Sequence, residues 1–240
     1  MAIAVGNSGK GLSNGTLSVS ASLTTQSGDN FIIAAFGRWG TGLVKSTGVS
    51  FDGDAFTKII AADGTERTTI ELWYLVNPSI TTANVTASYA TGSDHWMVVL
   101  ALSGVNTSSP IRGYETAAIK TTGISDTIAS AVGDLVVDGC TINATTGAPT
   151  QDAGQTLVDT AGRSSGVSVS GGMSYEFGAA SNTLGWSWSG TVDSCLALVS
   201  IKPSVGGIAG VKTINGIASA DIKTVNGIAV ADIKSIQGLT

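Results

Sequence analysis

The chain is poor in charge. Only 12% of its 240 residues are Asp, Glu, Lys or Arg, about half the usual share. Long amphipathic helices carry many such residues on their wet faces, so a helical bundle is not expected. Lys and Arg total 12 and are scattered. With no basic cluster, a nucleic-acid partner is not expected either. No apolar run reaches the length of a membrane-crossing helix. The start, Met1-Ala-Ile-Ala-Val-Gly6, has no basic stretch followed by a long apolar one. It therefore lacks the pattern of a secretory leader, and neither membrane insertion nor the classical export route is expected.

Residues that carry chemistry are equally scarce. The one histidine is His95, in Ser93-Asp-His-Trp96. A hydrolytic triad needs a nucleophile, a base and an orienting carboxylate brought together, and one Asp-His step does not supply that. His95 reads as a polar residue at the start of a strand. The two cysteines, Cys140 and Cys195, lie in apolar runs and read as buried thiols acting as small apolar groups, with a disulfide between them as the alternative reading. Structural zinc needs four ligands and catalytic zinc three; Cys140, Cys195 and His95 would have to supply them all, so no metal is expected. Asp52-Gly-Asp54 and Asp63-Gly-Thr-Glu66 look like fragments of calcium loops, but neither has the full ligand spacing, and both read as turns. Gly6-Asn-Ser-Gly-Lys-Gly11 misses the phosphate-loop spacing and reads as a flexible N-terminal arm. No cofactor and no enzymatic activity are expected.

The chain does have turns and short apolar runs. Glycine is abundant, at 32 residues, while proline is limited to four. Phe31-Ile-Ile-Ala-Ala-Phe36 reads as a central strand. Asp52-Gly53 between two alternating runs signals a hairpin. Further strands are expected at Thr68–Val76, Asn84–Tyr89, Trp96–Leu102, Leu135–Cys140, Val167–Val169, Met173–Phe177, Thr183–Trp188 and Cys195–Ile201. Ten or more short strands separated by Gly, Ser, Asn and Asp suit two packed antiparallel sheets. The expected fold is an all-β, jelly-roll-like antiparallel sandwich over residues 1–203, in which residues 1–27 supply an N-terminal arm and first strand. Phe31, Ile33, Leu72, Val99, Val137 and Leu198 are expected inside. Trp73 and Trp96 read as core or interface residues. Trp39, in the Gly-rich stretch Arg38-Trp-Gly-Thr-Gly42, could instead stack on a sugar ring.

Lys202-Pro203-Ser204 marks the boundary to a different segment. Lys212-Thr-Ile-Asn-Gly-Ile-Ala-Ser-Ala-Asp-Ile222 is followed by Lys223-Thr-Val-Asn-Gly-Ile-Ala-Val-Ala-Asp-Ile233. A third, partial copy starts at Lys234. A fixed eleven-residue period implies stacked small units that need neighbours to cover their apolar faces. Gly216, Gly227 and Gly238 disfavour a helix. Short strands or single turns are expected instead, with Asn215-Gly216 and Asn226-Gly227 as tight turns. Ordering this segment costs roughly 1–2 kcal/mol per residue, and each buried aliphatic side chain returns only about 1.5–3 kcal/mol. A lone tail of residues 204–240 therefore cannot order itself. Its larger apolar residues, Ile208, Val211, Ile214, Ile217, Ile222, Val225, Ile228, Ile233, Ile236 and Leu239, are expected to form an assembly interface. A trimer wound around one axis would bury them, and so would a groove on a neighbouring protein.

Several phrases carry a resemblance. They are the Val49–Lys58 hairpin, Glu71-Leu-Trp-Tyr-Leu-Val-Asn-Pro78, Ser103-Gly-Val-Asn-Thr-Ser-Ser-Pro110, Gly133-Asp-Leu-Val-Val137 and Ser200-Ile-Lys-Pro203. In this order they resemble a β-sandwich module of bacteriophage structural proteins and bacterial surface proteins. The resemblance covers roughly residues 28–203. The tail is similar to the repeats that end many phage virion proteins. The resemblance implies a non-enzymatic virion protein, assembled in the host cytoplasm as a head decoration, fibre or tail component. Its partners would be copies of itself and other virion proteins. The alternative is a carbohydrate-binding adhesin of a bacterial surface, with Trp39 as the glycan contact. The family carries no catalytic residue set to transfer.

Overall fold

Strands run almost from the first residue. The computed structural model describes residues 2–143, 147–162 and 167–204, together with the backbone of residues 213–214, 217–218, 224–225 and 228–229. The first half of the chain forms β1 (Ala4–Thr24), β2 (Asp29–Trp39), β3 (Gly48–Phe51), β4 (Asp54–Ala55), β5 (Thr57–Asp63), β6 (Thr68–Val76) and β7 (Thr82–Ser103). The second half forms β8 (Ile111–Ala129), β9 (Leu135–Asn143), β10 (Thr150–Gln151), β11 (Thr156–Ala161), β12 (Val169–Phe177) and β13 (Ser181–Ile201). The described residues contain no helix, and the fold is the all-β antiparallel sandwich that the alternation of the runs implied.

Each half builds one sheet. The first has the order β4-β3-β7-β2-β6-β5, with β1 on the other edge of β7. The second has the order β10-β13-β9-β12-β11, with β8 on the other edge of β13. The inner faces meet in one core that holds Phe31, Ile33, Leu72, Trp96, Val137 and Val199. The outer faces are not open to water. The long strands β1, β7, β8 and β13 fold over, so that each sheet covers its own back. Val19, Phe36, Phe51, Val85 and Val99 form a second core behind the first sheet. Leu184, Trp186, Ile142 and Leu198 form a third behind the second. Phe31, Ile33, Leu72, Val99, Val137 and Leu198 are all fully buried.

The folding-over occurs at breaks in register. The β1–β7 ladder slips between Ser13 and Thr16 and again between Thr16 and Ser18, around Gly15 at φ 64°. The β13–β8 ladder slips between Ser187 and Val192, around Gly190 at φ 81°. Both glycines sit in the left-handed region that L side chains resist. The β3–β4 hairpin turns on Asp52 (φ 49°) and Gly53 (φ 90°). Two successive positive φ values twist a two-residue turn with the strands, which is why Asp-Gly is favoured there.

The two halves are copies of one plan. Pairing order runs β1-β7-β2-β6-β5 in one and β8-β13-β9-β12-β11 in the other. The irregularity in β5–β6, between Lys58 and Ile60, recurs in β11–β12 between Leu157 and Asp159. Phe31 pairs with Val76 and Leu102; Leu135 pairs with Phe177 and Ile201. On this register β7 superposes on β13 with a constant offset of 99 residues, Val85 on Leu184 and Asp94 on Asp193. The copies meet along β2 and β9, where a Cβ on Gly139 would lie 2.9 Å from that of Ala35.

Several local expectations change. Gly6–Gly11 is not a free arm but part of β1, paired with β7. The runs Asn84–Tyr89 and Trp96–Leu102 are one strand, because β7 stays paired with β1 on both sides of the irregularity between Ser88 and Ser93. His95 lies in the middle of that strand, fully buried, and not at a strand start.

Candidate functional site

The repeat tail forms ladders with the period of its sequence. Ile214 pairs with Ile217 in β14 (Thr213–Ile214) and β15 (Ile217–Ala218). Val225 pairs with Ile228 in β16 (Thr224–Val225) and β17 (Ile228–Ala229). Each ladder brackets an Asn-Gly step, as the turn chemistry implies. The same two apolar positions face each other in both units, eleven residues apart. Ile208, Val211, Ile222, Ile233, Ile236 and Leu239 lie outside the described residues.

Trp39 ends β2 and is half-buried against the inner core. The Arg67 guanidinium lies 5.6 Å from its ring centroid. Its carbonyl accepts the Ser93 hydroxyl. One part of the ring thus meets the core and a cation, while the rest reaches solvent at the end of the sandwich. Trp73 and Trp96 are core residues. Trp96 donates to Thr141 Oγ1 at 2.9 Å, and Trp73 donates to Glu71 at 3.1 Å.

The other candidates are not assembled into a reactive site. His95 Nε2 lies 3.1 Å from the Thr16 carbonyl, and a carbonyl only accepts, so Nε2 carries the proton. Burial lowers the His95 pKa to about 4. Cys140 belongs to the core behind the second sheet and Cys195 to the core between the sheets. They point to opposite faces, so they remain free thiols. Burial pushes the Cys195 thiol up to about 12, too high for a thiolate nucleophile. Asp52 accepts the Ser79 hydroxyl at 2.9 Å. Asp63 pairs with Lys45 and Glu66 with Lys120. Asp52, Asp63 and Glu66 thus each have a protein partner. Among the described residues no three His, Cys, Asp or Glu side chains converge as a metal cluster would require.

Sequence reasoning did not find the buried carboxylates. Asp138 is fully buried and accepts from Ser174 N (3.0 Å), Ser174 Oγ (2.7 Å), Gln155 Nε2 (3.3 Å) and Trp186 Nε1 (2.7 Å). Burial raises its carboxyl to about 7, against the pull of these donors. Glu71 is buried beside Lys58 at 3.0 Å and accepts the Ser46 N–H at 2.6 Å. Both sit in strands that read as apolar, and no motif marks them. Compared with family models, with curated proteins and with solved structures, the chain matches none.

Proposed function

We propose that the protein is a non-enzymatic structural component of a bacteriophage particle, a duplicated β-sandwich that assembles through its C-terminal repeats. One observation carries this reading. Two identical two-stranded ladders recur at the repeat period, and a two-stranded ladder is at best marginally stable by itself. Stacked units of this kind gain stability from neighbours. Copies wound around a common axis, three in the simplest arrangement, would cover the Ile and Val rows; another virion protein could do the same. The polar, Ser- and Thr-rich outer surface fits a body displayed to solvent.

The half-exposed Trp39 favours a second reading, a carbohydrate-binding adhesin. An aromatic face can stack on a sugar ring, and the guanidinium of Arg67 beside it can donate to the sugar hydroxyls.

Deleting residues 205–240 separates the two. The assembly reading expects a folded, monomeric sandwich that is lost from purified particles, scored by light scattering and by mass spectrometry of the particles. A truncated chain that still oligomerises and joins the particle would refute it. Glycan-array binding that is lost in Trp39→Ala, by a chain never found in particles, would establish the adhesin.

A further inference from the structure

The duplicated plan supplies an internal control for which residues the fold itself requires. Among the places where the two copies differ in kind, one leaves buried polar atoms unpaired. At the end of the core behind the first sheet, Ser13, His95 and Arg38 stand in one row across β1, β7 and β2. Their side chains share the outer face of the sheet, as directly opposed residues do. Tyr89 reaches over from the folded-back part of β7 and stacks on His95, with ring centroids 4.0 Å apart. The matching row in the second half is Ile119, Ser194 and Ile142, with Trp188 in place of Tyr89. There Ile142 is fully buried and Ser194 is satisfied by the Ile119 carbonyl at 2.6 Å. In the second half this position is built without a charged group, and its one hydroxyl is paired.

The polar version is not self-satisfied. Ser13 Oγ, Arg38 Nε, Tyr89 Oη and His95 Nδ1 are buried side-chain atoms without a hydrogen-bond partner. Arg38 is 1% exposed, and among the described residues its guanidinium donates from Nη1 to the Val44 carbonyl at 3.2 Å. A buried charge with no counter-ion is costly. The other charges nearby are compensated: Glu71 has Lys58 and Asp63 has Lys45. Arg38 has no carboxylate partner among the described residues.

We propose that this row is a binding site for a small monovalent anion of the size of chloride, held under the 40–47 segment between β2 and β3. The ion would receive the Arg38 Nε–H and the hydroxyl protons of Ser13 and Tyr89. His95, fixed as the Nε2–H tautomer by Thr16, offers only a lone pair at Nδ1, so the ion would sit toward Arg38 and away from that nitrogen. A water could bridge the same atoms, but water leaves the guanidinium charge uncompensated, and an anion neutralises it.

The test is thermal unfolding of the full chain in sodium chloride against sodium gluconate at equal ionic strength, since gluconate is too large for the site. The midpoint is expected to rise with chloride and saturate, by roughly 3–5 °C at ten times the dissociation constant. Arg38→Gln should abolish the rise. If that variant does not fold, the triple variant Ser13→Ile, Arg38→Ile, His95→Ser, which copies the second half, should fold and show no chloride response. Crystals soaked in bromide should show an anomalous peak beside Arg38 Nε. Equal midpoints in chloride and gluconate, an unchanged chloride response in the variants, or a bromide-free site would overturn the proposal and leave water as the occupant.

Discussion

Asp193 and Asp94 make the same contact in opposite directions. The Asp193 carboxylate accepts the backbone N–H groups of Arg67 (2.8 Å) and Thr68 (2.9 Å), where the first half enters β6. It also accepts Thr65 N at 2.7 Å and Glu66 N at 3.1 Å. Asp94, its counterpart, accepts Ser168 N at 2.6 Å, where the second half enters β12. Each copy thus clamps the incoming turn of the other with a carboxylate. Among the described residues Asp193 gathers the larger set, since the Thr65 and Thr68 hydroxyls also donate to it, while Asp94 accepts one further donor, the Gly15 N–H at 3.1 Å.

Asp193→Ala should therefore cost much more than Asp94→Ala. Removing a buried acceptor of several donors leaves them all unpaired, at about 3–4 kcal/mol. The Asp94 change unpairs the Ser168 and Gly15 N–H groups among the described residues and should cost about 1–2 kcal/mol. Urea unfolding of the two variants measures both. Equal losses would show that the clamps do not differ as their geometry implies.

The buried carboxylates give opposite responses to pH. Burial raises the Asp193 carboxyl, but the N–H groups of Arg67 and Thr68 and the two hydroxyls outweigh it and hold the group below its ordinary value. Its stabilisation is present above the unfolded pKa, near 3.8, and fades as pH falls through the lower folded value. Asp138 titrates near 7 in the fold and near 3.8 unfolded. Its contribution is full below about pH 4 and is lost as pH rises through 7, by up to roughly 1.4 kcal/mol per pH unit. Unfolding free energies between pH 4.5 and 7 should thus slope downward from this site. Asp138→Asn should flatten that slope, whatever its cost at any single pH. An unchanged slope would remove Asp138 as its source.

The local elements were legible where backbone chemistry is local. Asp52-Gly53 names its own turn, and Phe31–Phe36 is too apolar to lie anywhere but inside. The duplication was not legible, because the copies conserve pairing register and burial while changing side chains: Trp186 replaces Ala87 and Leu157 replaces Lys58. Only a few marks persist, such as Gly28-Asp29 with Gly133-Asp134 and Tyr74 with Tyr175. The long strands were hidden for a related reason. Gly92 and Ser93 look like breakers, yet long-range pairing with β1 resumes on both sides of the irregularity they mark. The Arg38 row needed three strands to be placed side by side, which no spacing in the sequence records.

Close approach between layers makes some glycines irreplaceable without any unusual φ. A Cβ on Gly171 would fall on the Trp96 ring and on the Cys140 carbonyl. Trp96 cannot yield, because it is fully buried and tied to Thr141. Gly171→Ala is expected to destabilise by about 3 kcal/mol or more, the upper range for overpacking a core. Gly48 is the internal comparison. It also lies in a strand, at β3, but a Cβ there would meet nothing within 4 Å. Gly48→Ala should leave stability within about 0.5 kcal/mol of the parent, or raise it slightly by restricting the unfolded chain. Both variants add one methyl group to a strand glycine, so side-chain entropy and β-propensity largely cancel between them. The difference in their denaturation midpoints then reports the gap between β12 and Trp96. If Gly171→Ala unfolds at the same urea concentration as Gly48→Ala, the sheets can move apart at no cost and the close packing described at Trp96 is wrong.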